Sequence, residues 1–157
     1  SQTAIKDSII NFSPIRHRLE WIGNINNVNY FNDSKATNIA ASKAAIQSFE
    51  SDVILILGGR DKGLTDFSKL ISIMQNRVKI IISYGEASRY IESQLKEYFQ
   101  IFCVKIFREA IFKAHDISIS GDTILLSPAC SSFDQFSSYE ERGDEFNSIF
   151  SRLEFSA

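Results

Sequence analysis

The sequence predicts an α/β fold, a mainly parallel β-sheet flanked by helices with an N-terminal β-hairpin, and three observations carry that prediction. From residue 53 onward, short apolar runs alternate with amphipathic segments of helical length. The first run, Val53-Ile54-Leu55-Ile56-Leu57, is continuously apolar, as expected of a strand covered by helices on both faces. Ahead of the alternation, two runs rich in Leu, Trp, Ile, Val, Tyr and Phe, 18–22 and 28–32, flank Gly23-Asn24-Ile25-Asn26-Asn27, which reads as a hairpin turn.

The first helix is expected over 38–50, with Ile39, Ala45, Ile46 and Phe49 on one face and Thr37 or Asn38 placed to cap its start. The strand at 53–57 stops at Gly58-Gly59. Helix 67–75, strand 78–83, helix 86–98, strand 101–104, helix 108–117 and strand 123–126 follow, a βαβ succession that implies parallel pairing. A last helix over 139–153 carries Phe146, Ile149, Phe150 and Leu153 at i, i+3, i+4 and i+7, an apolar stripe to lay on the sheet. No repeat or low-complexity tract divides residues 1–157, which read as one domain with 1–14 as the remnant of a connection to a preceding one. The start at Ser1 fits a piece of a longer protein.

A hydrophobic content of 44% in 157 residues is enough for a core, and a formal charge of -2 argues against nucleic acid or an anionic membrane surface as partner. Anion binding must therefore be local. No apolar run approaches the roughly 20 residues of a membrane span, and no signal-peptide pattern is present. Cys103 and Cys130 are too few for a disulfide framework; Cys103, in an apolar stretch, reads as a buried thiol in a reducing, cytoplasmic compartment.

Function is expected in three polar loops, because open parallel sheets bind ligands beyond the carboxyl ends of their strands. Loop 58–63, Gly58-Gly59-Arg60-Asp61-Lys62-Gly63, combines glycines with a lysine but lacks the GxxxxGK[ST] order of a phosphate loop. It reads equally as an anion-binding lysine or a solvated turn. Loop 32–38 holds Asp33, Ser34, Lys35 and Thr37 just before a helix: an acid for ribose hydroxyls, a lysine for phosphate and a hydroxyl for a carboxylate, or else a plain capping loop. Loop 127–134, Ser127-Pro128-Ala129-Cys130-Ser131-Ser132-Phe133-Asp134, has small side chains that free backbone N–H groups for an anion. Cys130 as a nucleophile with His17 or His115 as base is a weaker reading than a structural cysteine, and no His or Cys spacing fits a metal. Arg16-His17-Arg18 reads as a basic grip on a nucleotide or a solvated basic turn.

Taken in order, His17-Arg18, Asn32-Asp33-Ser34-Lys35-Ala36-Thr37-Asn38, Leu57-Gly58-Gly59 with Lys62, and Leu126-Ser127-Pro128-Ala129-Cys130-Ser131-Ser132-Phe133-Asp134-Gln135-Phe136 followed by Glu141-Arg142-Gly143 resemble the C-terminal domain of the Mur ligases, in particular its D-glutamate-adding branch. The resemblance spans essentially the whole chain. It implies a Rossmann-like fold and two absent domains, one for the UDP-sugar and a central ATPase. It also implies an ATP-dependent amide-bond-forming ligation in peptidoglycan precursor synthesis. ATP phosphorylates the terminal carboxylate of UDP-N-acetylmuramoyl-L-alanine, and the amine of D-glutamate attacks the acyl phosphate. By the same resemblance Thr37, Lys62, Ser132, Phe133 and Tyr139 match positions that hold D-glutamate, and Arg18, Asp33 and Lys35 match positions that reach ATP. Mg2+ and the carbamylated lysine belong to the central domain, so no catalytic or metal-binding residue is assigned here and the isolated domain is expected to be inactive. The readings left open beside this one are another Mur-type ligase and a non-catalytic anion-binding module. One departure stands out: Arg60-Asp61 occupies the place where the family commonly has Asp-Gly.

Overall fold

Two left-handed asparagines open the sheet. In the computed structural model, which describes residues 15–61 and 65–157, strands β1 (Glu20–Ile25) and β2 (Val28–Asn32) pair antiparallel around Asn26 and Asn27, whose φ angles are 51° and 64°. Two successive positive φ values give a primed turn whose twist matches that of the flanking strands, and asparagine tolerates that region. The turn is thus two residues rather than the expected five. Gly23, Asn24 and Ile25 continue β1 past a register shift between Trp21 and Gly23. At Gly23 a Cβ would lie 2.3 Å from the Phe150 ring, so the glycine lets the last helix lie against the strand. Residues 1–14, the expected linker remnant, and 62–64, which include Lys62, lie outside the described residues.

The remaining strands are β3 (Val53–Gly58), β4 (Val78–Tyr84), β5 (Gln100–Cys103) and β6 (Thr123–Ala129). All six form one sheet in the order β1-β2-β6-β3-β4-β5, and every pair except the hairpin is parallel. β6 runs three residues beyond the expected end at Leu126. A shift in its register with β3 between Ile56 and Gly58 takes up Pro128, which has no N–H for the ladder. All six residues of β3 are buried, as its apolar run predicts.

Among the described residues, five helices cover the sheet. On one face lie α1 (Ile39–Gln47), a 3-10 turn (Phe67–Leu70) leading into the single-turn α2 (Ile71–Met74), and α3 (Ser88–Leu95). Their core includes Ile46, Leu55, Leu57, Leu70, Ile81, Ile91 and Leu125. On the other lie α4 (Phe107–Ile117) and α5 (Tyr139–Ser156), around Ile54, Ile56, Ile82, Tyr84, Ile111, Ile124, Phe146 and Ile149. The alternation along β3 sends successive side chains to opposite faces, each buried aliphatic contributing about 1.5–3 kcal/mol. Asn38 caps α1, accepting from Ala41 N–H at 2.9 Å. Of the stripe expected on α5, Phe146, Ile149 and Phe150 are buried and Leu153 packs against them. The expected helix 67–75 is half 3-10, and that at 86–98 is shorter because Gly85, at φ 73°, turns the chain into it.

β3 and β6 are neighbours, yet the chain leaves β3 toward the face of α2 and leaves β6 toward the face of α5. A crevice opens where adjacent strands send their connections apart. The walls of this crevice are held by Arg142, in the first turns of α5 and 0% exposed. Its Nε donates to Ser34 Oγ at 2.9 Å and Nη2 to Ser34 O at 2.7 Å. Nη1 donates to Cys130 O and to Tyr84 Oη, both at 3.2 Å. Burial pushes the Tyr84 phenol far above its ordinary range, with Arg142 pulling the other way, so the ring stays neutral. Beside it, a Cβ on Gly143 would lie 2.3 Å from His17 Nδ1, which fixes glycine there.

Arg142→Met removes the guanidinium and leaves buried oxygens of Ser34, Cys130 and Tyr84 without their donor. The expected cost is about 2–4 kcal/mol of unfolding free energy, read as a lower urea midpoint at unchanged m-value. An unaltered midpoint would show that these bonds carry no net stability.

Candidate functional site

The first wall is loop 33–38. β2 delivers it through Asn32, whose Oδ1 accepts from Ser34 N–H at 3.1 Å and whose Nδ2 donates to Asn147 Oδ1 at 2.7 Å. Asp33 follows, 5% exposed, with its N–H on Leu126 O at 2.8 Å. Its Oδ1 accepts from Leu19 N–H at 3.0 Å and its Oδ2 from Ser127 Oγ at 2.7 Å. Burial pushes this carboxyl above its ordinary range, while the bonds from Ser127 and Leu19 and the charge of Arg18 oppose the shift. Lys35 is exposed and lies over the Tyr139 ring at 5.8 Å from its centroid. Arg18, Asp33 and Lys35 line one cleft of about 490 Å³, floored by Ala36, Ala41, Ala44 and Ala45. The three residues that the resemblance groups together thus line one cleft.

The basic run before the hairpin divides. His17 is 2% exposed, its Nδ1 beside Asn32 Nδ2 at 3.0 Å and its Nε2 3.2 Å from Asp144 Oδ1. Arg16 pairs with Asp144 at 2.5 Å. Only Arg18 of the three lines the cleft, so the run is not a continuous basic grip.

A second cleft of about 540 Å³ lies across Asn38, which lines both, and is bounded by Thr37, Ile39, Ala40, Thr65, Asp66, Ala129 and Cys130. Thr37 is half-buried here. Cys130, 2% exposed, packs on the α1–α3 side, whereas His115 bonds Tyr30 Oη at 2.6 Å on the α4–α5 side. His17 is engaged by Asn32 and Asp144. Cys103 is half-buried rather than buried, because β5 is the sheet edge; it accepts from Ser83 Oγ at 3.2 Å.

The crevice between β3 and β6 is closed at its base by Arg60. Its N–H donates to Ser131 O at 2.9 Å, and Ser131 Oγ donates back to Arg60 O at 3.3 Å. At Gly59, with φ 123°, a Cβ would sit 2.2 Å from Ser131 O, so only glycine lets the two loops approach this closely. The Arg60 guanidinium grips Glu86 with two bonds of 3.0 Å, holding that carboxyl below its ordinary range, and Glu86 N–H donates to Asp134 Oδ2 at 3.2 Å. Asp134 Oδ1 is buried with no partner among the described residues, and burial pushes its carboxyl up. Asp61 and Thr65, on either side of residues 62–64, bond each other through their side chains. Arg60 and Asp61 are therefore both built into the fold. Ser132 is buried, Phe133 is 59% exposed, and Tyr139 opens α5 with its carbonyl accepting from Ser34 Oγ at 2.8 Å. Lys62 lies outside the described residues. Among the described residues no group of three or more His, Cys, Asp or Glu side chains is arranged to hold a metal ion.

Ser42 escaped the sequence reading, and Ser127 and Arg142 entered it only as parts of longer motifs, without a role of their own. Both serines are fully buried; Ser127 donates to Asp33, and Ser42 packs behind it against Ser127. Arg142 carried a signal: it precedes Phe146, Ile149 and Phe150 by helical spacing and so falls on the buried stripe of α5. A charge on an apolar stripe points to a buried polar network.

Known proteins share both sequence and fold. The family described as Mur ligase, glutamate ligase domain, matches residues 17–130. The UDP-N-acetylmuramoylalanine–D-glutamate ligase of Desulfosudis oleivorans is 39% identical over 149 residues, 95% of this chain and 32% of that protein. Those of Chlamydia trachomatis serovar D and Aquifex aeolicus are 40% and 41% identical, over 95% and 92% of this chain and 35% of each protein. The chain thus spans about a third of the length of the curated relatives it matches. In fold it is similar to the UDP-N-acetylmuramate-alanine ligase of Thermotoga maritima, with a TM-score of 0.58 and 14% identity over 96% of this chain and 36% of that one. A bifunctional folylpolyglutamate synthase/dihydrofolate synthase from Yersinia pestis, complexed with AMPPNP and Mn ion, gives 0.63 and 12% over 96% and 35%. With the family match covering more than half of its residues, this chain belongs to the Mur ligases as a glutamate ligase domain.

Proposed function

We propose that this chain is the D-glutamate- and ATP-contacting C-terminal domain of the ligase that joins D-glutamate to UDP-N-acetylmuramoyl-L-alanine through an acyl phosphate. The observation that carries the reading is the pair of clefts divided by Asn38, one bearing Arg18, Asp33 and Lys35 and the other Thr37. The relatives near 40% identity, all named as D-glutamate ligases, supply the substrate. In the reaction, a carboxylate oxygen of the muramoyl-alanine attacks the γ-phosphorus of ATP and ADP leaves. The D-glutamate amine then attacks the acyl carbon, and phosphate departs from a tetrahedral intermediate.

The chain's share is positioning and charge. Arg18 and Lys35 offer cations to polyphosphate, and the alanine floor of their cleft offers a flat apolar bed for a nucleoside. For D-glutamate, the cation of Lys62 and the hydroxyls of Thr37 and Ser132 suit a dicarboxylate in chemical type, with Phe133 and Tyr139 adding backbone groups and ring surface. Mg2+ would be held by the central domain beside the phosphate loop, and the acyl acceptor would be presented by the UDP-sugar domain. A domain holding neither is inactive alone. A cytoplasmic location suits its ATP and nucleotide-sugar substrates, and no helix among the described residues is long and apolar enough to cross a membrane.

The test is a panel of amino acids offered to the full-length ligase that contains this chain: D-glutamate alone should be joined, and turnover of L-alanine or a diamino acid instead would overturn the reading. In the same enzyme Lys62→Ala removes a charge-assisted contact worth roughly 1.5–3 kcal/mol, raising KM for D-glutamate about 10- to 100-fold. An unchanged KM would remove Lys62 from the site. Lys35→Ala should raise KM for ATP about tenfold and leave KM for D-glutamate within about twofold, since the clefts are separate. Equal effects on both would contradict that separation.

A further inference from the structure

We propose that Ser127 is a positioning residue for the Arg18–Asp33–Lys35 cleft, fixing the Asp33 carboxylate through a hydroxyl that Ser42 helps to hold. The inference rests on the reading of that cleft as the ATP side. Three segments meet at this carboxylate, with a fourth behind them: the loop after β2 supplies Asp33, β6 supplies Ser127, the turn before β1 supplies Leu19, and α1 supplies Ser42, which bonds Ser127. Ser127 Oγ lies 2.7 Å from Asp33 Oδ2 and 3.1 Å from Ser42 Oγ, and Ser42 Oγ lies 3.1 Å from Ser127 O.

Each serine has one hydroxyl hydrogen, and the distances assign them. Ser127 gives its hydrogen to the carboxylate, the shorter and charge-assisted contact, and Ser42 gives its own to the Ser127 carbonyl or hydroxyl. Both serines are 0% exposed, so no solvent replaces either hydrogen. With Oδ1 held by Leu19 N–H and Oδ2 by Ser127, the carboxylate cannot rotate, and each oxygen keeps a lone pair for a ligand hydroxyl. Leu19 sits at a strained φ of 43° next to Arg18, so the same carboxylate also sets the turn that presents Arg18 to the cleft. Loss of the Ser127 hydroxyl frees Oδ2, removes one of the contacts that oppose burial and favours a protonated, turned Asp33.

The test compares Ser127→Ala, Ser42→Ala and Asp33→Ala in the full-length ligase, with the Asp33 carboxyl followed by carbon NMR in the 157-residue chain. Ser127→Ala should raise KM for ATP about tenfold at a kcat within about twofold, Ser42→Ala should raise it less, and the Asp33 titration should move upward in Ser127→Ala. If Asp33→Ala raises KM for ATP but Ser127→Ala does not, the positioning role is wrong while the ATP reading stands. If Asp33→Ala leaves KM for ATP unchanged, the ATP reading fails and this inference with it. Equal effects of the two serine variants, or an unmoved Asp33 titration, would reduce Ser127 to a packing role and overturn the proposal.

Discussion

The guanidinium of Arg142 reaches from α5 to three places at once: the loop after β2, the end of β4 and the loop after β6. It is fully buried, and none of the acceptors it bonds is a carboxylate. A buried cation is costly unless its N–H groups are satisfied, and here neutral oxygens satisfy them. The arrangement makes those oxygens depend on Arg142 as much as Arg142 depends on them. Ser34 accepts twice and passes its own hydrogen to the Tyr139 carbonyl, so the first turn of α5 is tied to the loop that carries Asp33 and Lys35. The relative positions of the two clefts follow from this one group.

The sheet order explains why such a tie is needed. Inserting β6 between β2 and β3 brings the loops after all three to one edge, but their onward chains diverge to opposite faces. A divergent edge gives a crevice open to a ligand and also separates the walls. Gly58 lets β3's exit lie against the Tyr84 backbone and Gly59 lets it approach Ser131, and the Arg60–Ser131 bridge closes the base of the gap. Arg142 closes the upper part. Exposed pairs such as Arg60–Glu86 add register rather than much energy, since about half of each side chain remains in water.

The parallel sheet and its flanking helices were legible because apolar runs and helical stripes report burial, as in 53–57 and in Phe146, Ile149 and Phe150. Strand ends were not. Gly23 and Pro128 read as stops, yet a bulge and a register shift carry β1 and β6 through them, and those depend on partners distant in sequence. The helix at 67–75 kept its place, with its first half 3-10 rather than α, since Asp66 accepting from Ser68 N–H favours a tight first turn. Among site residues, the polar character of loop 32–38 was legible, as was its capping residue Asn38. The inward engagement of Asp33 was not, because its partners Leu19 and Ser127, and Ser42 behind Ser127, lie on other parts of the chain. His17 looked like a surface base and is instead a core ring against Gly143, a contact that only the folded chain reveals.

Arg142 couples the two walls, and hydrogen exchange of the chain with Arg142→Lys measures that coupling most directly. Lysine keeps the charge but cannot span Ser34, Cys130 and Tyr84 together. Amides at 34–37 and 129–134 should lose protection by the same factor and at the same rate, while those of β3 and β4 keep theirs. Loss confined to one segment, or protection retained in both, would mean that the two walls are held independently.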